Sequence, residues 1–431
     1  MVLQKGCGIL HKLVINGGKK ISGEIKLQGA KNSALPILAA TVLVEGQTVI
    51  KNCPELTDIY VASRILTHLG CKVTRQEKET VVVSNNGITC GFISEKLMRE
   101  MRSSIIFLGA VLGRCGECSL YFPGGCQLGP RPVDIHLSAL RKMGIMISEE
   151  HGRINCTAPN GIKGAKIMLE FPSVGATENI ILAAVKAEGE TEIKNAAREP
   201  EIKDLVSYLV KCGAKIEFSS ESTIRIKGVD RLDGCEHSVI PDRIAAATYL
   251  AAAAITDGAV CISGTSQLDA SSFTGYFEHM GCSVYICNDK ICLKGKNRIL
   301  PVKSLKTMPY PGFATDMQAI IMSVLCKADG TSVFEENIFE SRYKHVDALN
   351  MMGADIKVYG KIAVVQGVKK LYGANVEATD LRGGAAMTVA ALAAEGTTEI
   401  TCINHIDRGY EKIDTVLASL GADIKRKPEF Q

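Results

Sequence analysis

The sequence predicts a two-domain α/β protein assembled from six copies of one unit, with helices inside and sheets outside. Two motifs that keep step along the 431 residues carry this expectation. The first, a helix closed by glycine and followed by a strand, recurs as HLGCKVT, KMGIMIS, KCGAKIE, HMGCSVY, MMGADIK and SLGADIK. Its glycines, Gly70, Gly144, Gly213, Gly281, Gly353 and Gly421, stand 74, 69, 68, 72 and 68 residues apart, the mark of an internal repeat. The second motif, as in VEGQTVIKN (44–52) or AEGETEIKN (187–195), again ends a helix at glycine and opens an alternating strand.

Each unit therefore reads strand, helix, strand, helix and two further strands. The first helix is apolar nearly all round, as in ALPILAATVLV (34–44), IAAATYLAAAAI (244–255) and AAMTVAALAA (385–394), and a helix without a polar face belongs in a core. The second, for example 58–69 or 411–420, is amphipathic and has one face to bury. Three units to a domain, with sheets wrapped around the Ala-rich helices, predicts pseudo-threefold packing in each.

Composition removes several function classes. The net charge of +4 comes from basic residues scattered along the chain, Trp is absent and aromatics are 5%, which disfavours nucleic acid as a partner. Residues 1–11 lack the apolar core of a secretory signal. The apolar run 244–255 is too short for a bilayer span, so a cytoplasmic protein without membrane insertion is expected. The 16 cysteines are then expected as reduced thiols, and the lone Cys115-Gly-Glu-Cys118 has no second pair with which to hold zinc. No metal and no cofactor is expected. A P-loop and a dinucleotide fingerprint are both missing.

Polar residues collect where the apolar helices begin: Lys31-Asn32, Arg102-Ser103, Ser173 to Thr177, Asp242-Arg243, Thr315-Asp316 and Asp380-Leu381-Arg382. Free N–H groups and the positive end of the macrodipole favour anions there. Adding Lys or Arg at such a place suits the capture of phosphate or carboxylate rather than helix stability. The aspartates also have an ordinary use as N-caps. Arg198, Arg342 and Arg408 share one further place, the strand-to-helix connection of their units, and FPGGCQLGPRPVDIH (122–136) is that connection in the second unit. A turn on either side of Cys126 and a cation at Arg131 make this thiol a candidate for reactivity.

GAKNSALP (29–36), PGGCQLGPRPVDIH (123–136), SVGAT (173–177), NAAREPEI (195–202), IPDRI (240–244), TDMQA (315–319), ATDLR (378–382) and HIDRGYE (405–411) resemble the UDP-N-acetylglucosamine 1-carboxyvinyltransferases, enolpyruvyl transferases of the EPSP synthase family. The resemblance runs from about residue 13 to the end. It implies an inside-out α/β barrel architecture, with residues 31–240 as one domain, 1–30 plus 241–431 as the other, and the active site in the cleft between them. It also implies phosphoenolpyruvate and UDP-N-acetylglucosamine as substrates, and addition followed by elimination of phosphate.

By the same resemblance, Cys126 is the general acid and Asp316 the candidate base at the sugar 3-hydroxyl. Lys31, Asn32, Arg131, Arg342, Arg382 and Arg408 are implied as phosphoenolpyruvate contacts, Lys31 and Arg408 with a catalytic share. Asn32, Arg102, Arg131, Pro132, Val133, Asp134, Ile135, Ser173, Val174, Gly175, Asp316 and Ile338 are implied for the UDP-sugar. Two departures stand out: Phe171 where some members carry a basic residue, and the flexible pair Gly383-Gly384 after Arg382. The alternatives are an enolpyruvylshikimate phosphate synthase-like enzyme, which lacks the PGGC loop, a non-catalytic nucleotide-sugar-binding paralogue, and a thiol redox sensor.

Overall fold

The computed structural model describes residues 10–123 and 133–429. The chain divides into a terminal unit, residues 10–27 with 242–429, and a central unit, 28–123 with 133–241. Each has its own apolar core.

Six helices form the two interiors: α1 (Lys31–Ala40), α2 (Phe107–Cys115) and α3 (Val174–Ala184) in the central unit, α4 (Arg243–Ile255), α5 (Thr315–Leu325) and α6 (Leu381–Leu392) in the terminal one. Every residue of α4 is buried, as the absence of a polar face requires. Small residues let these helices approach closely. A Cβ on Gly109 of α2 would lie 2.2 Å from the carbonyl oxygen of Asn179 in α3, so only glycine fits that crossing. In the terminal unit α4, α5 and α6 all pack on one another, the arrangement expected of three equivalent helices.

The amphipathic helices lie between the strands, among them Thr57–Leu69, Asp134–Lys142 and Pro200–Lys211. The six repeat glycines all adopt the left-handed conformation, with φ from 82° to 109°, so each ends its helix and turns the chain into the next strand. In the first five repeats the two strands after that turn form an antiparallel hairpin, as Lys72–Gln76 does with Thr80–Asn85. Isoleucines and valines at alternate positions of the sheets face the helices, for example Ile224 and Ile226 at 0% exposure.

Two sheets depart from a simple tandem of units. Strand Ser22–Lys26 pairs in parallel with Ala259–Ser263 of the fourth repeat, whereas Glu236–Ser238 pairs in parallel with Gly46–Lys51 of the first. The opening strands of repeats one and four are thus exchanged between the two units. Strand His11–Asn16 joins the sixth repeat, antiparallel to both Thr397–Thr401 and Asp423–Pro428. The expectation of reduced cysteines needs correcting at one place. Cys261 and Cys292 face each other on paired strands and are joined by a disulfide. No helix among the described residues is long and apolar enough to cross a membrane.

Candidate active site

In the terminal unit the starts of the buried helices converge chemically. Asp316 sits in the first turn of α5, whose N-cap is Ala314, so its carboxylate is not spent on capping. Arg342 donates to Oδ1 at 2.8 Å and Arg382 to Oδ2 at 3.1 Å. Both arginine side chains are 3% exposed, against 28% for Asp316. Arg342 also donates to the Thr315 carbonyl oxygen at 3.2 Å, and its guanidinium lies over the Phe339 ring. Arg382 donates to the Tyr410 hydroxyl at 3.1 Å, which is 2.9 Å from the Thr248 hydroxyl.

Burial opposes the charge of Arg382, but Asp316, Tyr410 and Asp242 outweigh it and hold its pKa above the ordinary guanidinium value. Two aspartates with the bland role do fill it. Asp242 caps α4 through Ile244 and Ala245 N–H, and Asp380 caps α6 through Arg382 and Gly383 N–H. Arg408 ends the short helix Ile403–Arg408 beside α6 and is half-buried. With burial, it pushes the His405 imidazole below its usual range. The Ile338 N–H donates to Glu336, a buried carboxylate that also accepts from Thr307, Thr315 and the Phe339 N–H, tying this connection to the start of α5.

The central unit holds the other group of candidates. Lys31 is the first residue of α1 and forms an ion pair with Asp58 at 2.6 Å, the side chains being 7% and 1% exposed. Asn32 beside it and Arg102, which opens a 3-10 turn ahead of α2, are both half-buried. Ser173 caps α3 by accepting from the Ala176 N–H, with Val174 and Gly175 in the first turn. Val133 is the N-cap residue of Asp134–Lys142, which presents Asp134 to solvent and Ile135 at its first turn.

His136 of that helix locks it to α3. Its Nδ1 accepts from the Asn179 amide at 2.8 Å, and a Cβ on Gly175 would come within 3.0 Å of its Cε1. Burial pushes His136 down to about 4, so it is the neutral ring that holds Asp134 and Ile135 next to Val174 and Gly175. Phe171, 39% exposed, lies just ahead of this corner. Cys126, Arg131 and Pro132 lie outside the described residues.

Tyr410, Thr248, Glu336, Asp58 and the His136–Asn179 pair escaped the sequence reading. Tyr410 lies inside the quoted HIDRGYE stretch and could have been marked there. Nothing in the sequence pairs Asp58 with Lys31.

The profile of the EPSP synthase (3-phosphoshikimate 1-carboxyvinyltransferase) family matches residues 15–417. The chain belongs to this family. Among the family's curated members, the UDP-N-acetylglucosamine 1-carboxyvinyltransferase 2 of Caldanaerobacter subterraneus subsp. tengcongensis is 48% identical over 417 residues, 97% of this chain and 100% of that protein. The UDP-N-acetylglucosamine 1-carboxyvinyltransferase of Trichlorobacter lovleyi is 46% identical over 97% of this chain and 100% of its own. Among solved structures, the enolpyruvyl transferase NikO from Streptomyces tendae superposes with a TM-score of 0.88 at 23% identity, covering 98% of this chain and 100% of NikO. An EPSP synthase from Acinetobacter baumannii gives 0.74 at 19% identity over 97% and 100% of the two chains. At these identities the two structures establish the shared fold.

Proposed function

We propose that this chain transfers the enolpyruvyl group of phosphoenolpyruvate to the 3-hydroxyl of UDP-N-acetylglucosamine, releasing phosphate, in peptidoglycan precursor synthesis in the cytoplasm. The observation that carries this reading is Asp316, held between the guanidiniums of Arg342 and Arg382 and still open to solvent at the start of a buried helix. Full-length similarity to proteins named for this reaction supports the choice of acceptor.

In the addition step the sugar oxygen bonds to C2 of phosphoenolpyruvate, Asp316 takes the hydroxyl proton and Cys126 delivers a proton to C3. Elimination then removes a proton from C3 and expels phosphate, restoring the double bond in the enolpyruvyl ether. Lys31, Arg131 and Arg408 neutralise the phosphate as its charge develops, and Arg342 and Arg382 pair with the carboxylate. Asn32, Arg102, Asp134, Ile135, Ser173 to Gly175 and Ile338 bind the UDP-sugar, with the α3 N-terminus favouring its anionic part. The His136–Asn179 hydrogen bond ties the helix that carries Asp134 and Ile135 to α3, which carries Val174 and Gly175.

Incubation of the full chain with both substrates is expected to release inorganic phosphate without added metal or nucleoside triphosphate. A folded sample that releases none would overturn the enzyme reading. Phosphate release with shikimate 3-phosphate in place of the UDP-sugar would overturn the acceptor.

A further inference from the structure

Six equivalent repeat positions precede the helix-ending glycines, and five of them carry Leu69, Met143, Met280, Met352 or Leu420; the third carries Cys212. A second set follows a glycine just before an outer strand: Ala165 before Lys166–Met168, Ala374 before Asn375–Glu377, and Cys235 before Glu236–Ser238. Two cysteines thus replace Met or Leu and Ala, and they replace them where the fold brings them together. Their sulfur atoms lie 3.3 Å apart in the central unit. The backbone holds the two segments in place, since the Asp233 N–H donates to the Cys212 carbonyl oxygen at 2.9 Å.

We propose that Cys212 and Cys235 form a dithiol site that hydroperoxides convert to a disulfide, independently of the transferase reaction. The chemistry divides between the two sulfurs. Cys235 is half-buried and open to a small oxidant, whereas Cys212 is 3% exposed. The S–H of Cys212 donated to Cys235 favours thiolate at Cys235, burial opposes it, and neighbouring Lys211 adds a further pull; the net shift is downward. Lys211 is held at this spot by its approach to His237 Nδ1 at 3.3 Å. The Cys235 thiolate attacks one peroxide oxygen, breaking the O–O bond and giving a sulfenic acid, with the other oxygen leaving as water or alcohol. The Cys212 sulfur then displaces the sulfenic hydroxyl, which departs with a proton as water. The two thiols lose two electrons and two protons, and the peroxide gains them.

The test exposes the full chain to hydrogen peroxide and follows each cysteine by differential alkylation and tryptic mapping under non-reducing conditions. Cleavage after Lys211, Lys215, Arg231 and Arg243 places the pair on peptides 212–215 and 232–243. The expected product is those two peptides linked, with both alkylation sites lost together about ten-fold faster than Cys115 and Cys287, the exposed thiols among the described residues. Cys235 that stays alkylatable after Cys115 and Cys287 have oxidised would overturn the proposal, as would sulfinic acid on Cys235 beside a free Cys212. Cys212→Met installs the residue that three other repeats use there. In that variant Cys235 is expected to stop at sulfenic acid and be trapped by a dimedone-type nucleophile. Unchanged thermal unfolding of the variant with no trapped sulfenic acid would equally overturn it.

Discussion

At the start of α1 the central unit buries one cation against one anion, Lys31 with Asp58, at 7% and 1% exposure. At the start of α5 the terminal unit sets one carboxylate, Asp316 at 28% exposure, against two guanidiniums at 3% each. Both arrangements put charge where an apolar helix begins, and in the second two guanidiniums meet one carboxylate. The remaining guanidinium hydrogen bonds go to neutral acceptors, the Thr315 carbonyl and the Tyr410 hydroxyl. A buried ion pair answers first to stability, since removing one member takes an opposite charge from the other. A two-to-one cluster with an open edge is suited to meeting an anion and answers first to activity.

Asp316→Asn removes the charge and keeps the shape, so it tests the terminal cluster directly. Phosphate release is expected to fall about 10²- to 10⁴-fold, as for loss of an acid–base group. An Asn variant with near-normal turnover would remove Asp316 from the chemistry. Lys31→Met is expected to cost about 3–5 kcal/mol in urea unfolding, because it removes the cation paired with the buried Asp58. Adding Asp58→Leu should return most of that stability without restoring turnover. A double variant as unstable as the single one would show that the ion pair is not what the central unit depends on.

What was legible in the sequence was local or periodic. The glycine spacing gave the repeat, because a left-handed helix end is specified by one residue. The polar helix starts point to Asp316 and Arg382 and the strand-to-helix connection to Arg342, and the structure brings those three into contact. Long-range pairing was not legible. Tyr410 meets Thr248 across 162 positions, and no pattern within either segment encodes that contact. The exchange of opening strands between repeats one and four is not readable from the repeat pattern, because both strands read alike and pair alike; the family resemblance alone implies it. Cys261 and Cys292 were expected as thiols from composition, which takes no account of two cysteines meeting on paired strands. Cys126 and Arg131, prominent in sequence, lie outside the described residues.

His136 in the central unit and His345 in the terminal unit are both buried, which extends the comparison to pH. Burial pushes His136 down to about 4, and it does the same to His345, where Arg342 adds to the effect and Asp380 opposes it. Their folded pKa values lie below the unfolded value of about 6.5. The unfolded chain therefore binds protons first as pH falls. The stability from keeping these rings neutral is present above about pH 6.5 and is lost progressively as pH falls toward 4, by up to about 3 kcal/mol for each histidine. Urea unfolding at pH 7 and pH 5 should show this loss. His136→Gln and His345→Gln should each reduce the slope, and a slope unchanged in both variants would assign the acid sensitivity to other groups.

The smallest expected effect separates the two layers within the terminal cluster. Tyr410→Phe keeps the ring under the Arg382 guanidinium, 5.5 Å from its centroid, and deletes only the hydroxyl between Arg382 and Thr248. One neutral acceptor is lost to a buried cation, so a cost of about 1–2 kcal/mol in unfolding is expected. Arg382 retains its bond to Asp316, so turnover should fall only several-fold, with the loss in KM for phosphoenolpyruvate if the guanidinium swings away from the substrate carboxylate. A loss confined to kcat would instead mean that the hydroxyl supports Asp316 through Arg382, making Tyr410 a positioning residue for the base rather than for the carboxylate contact.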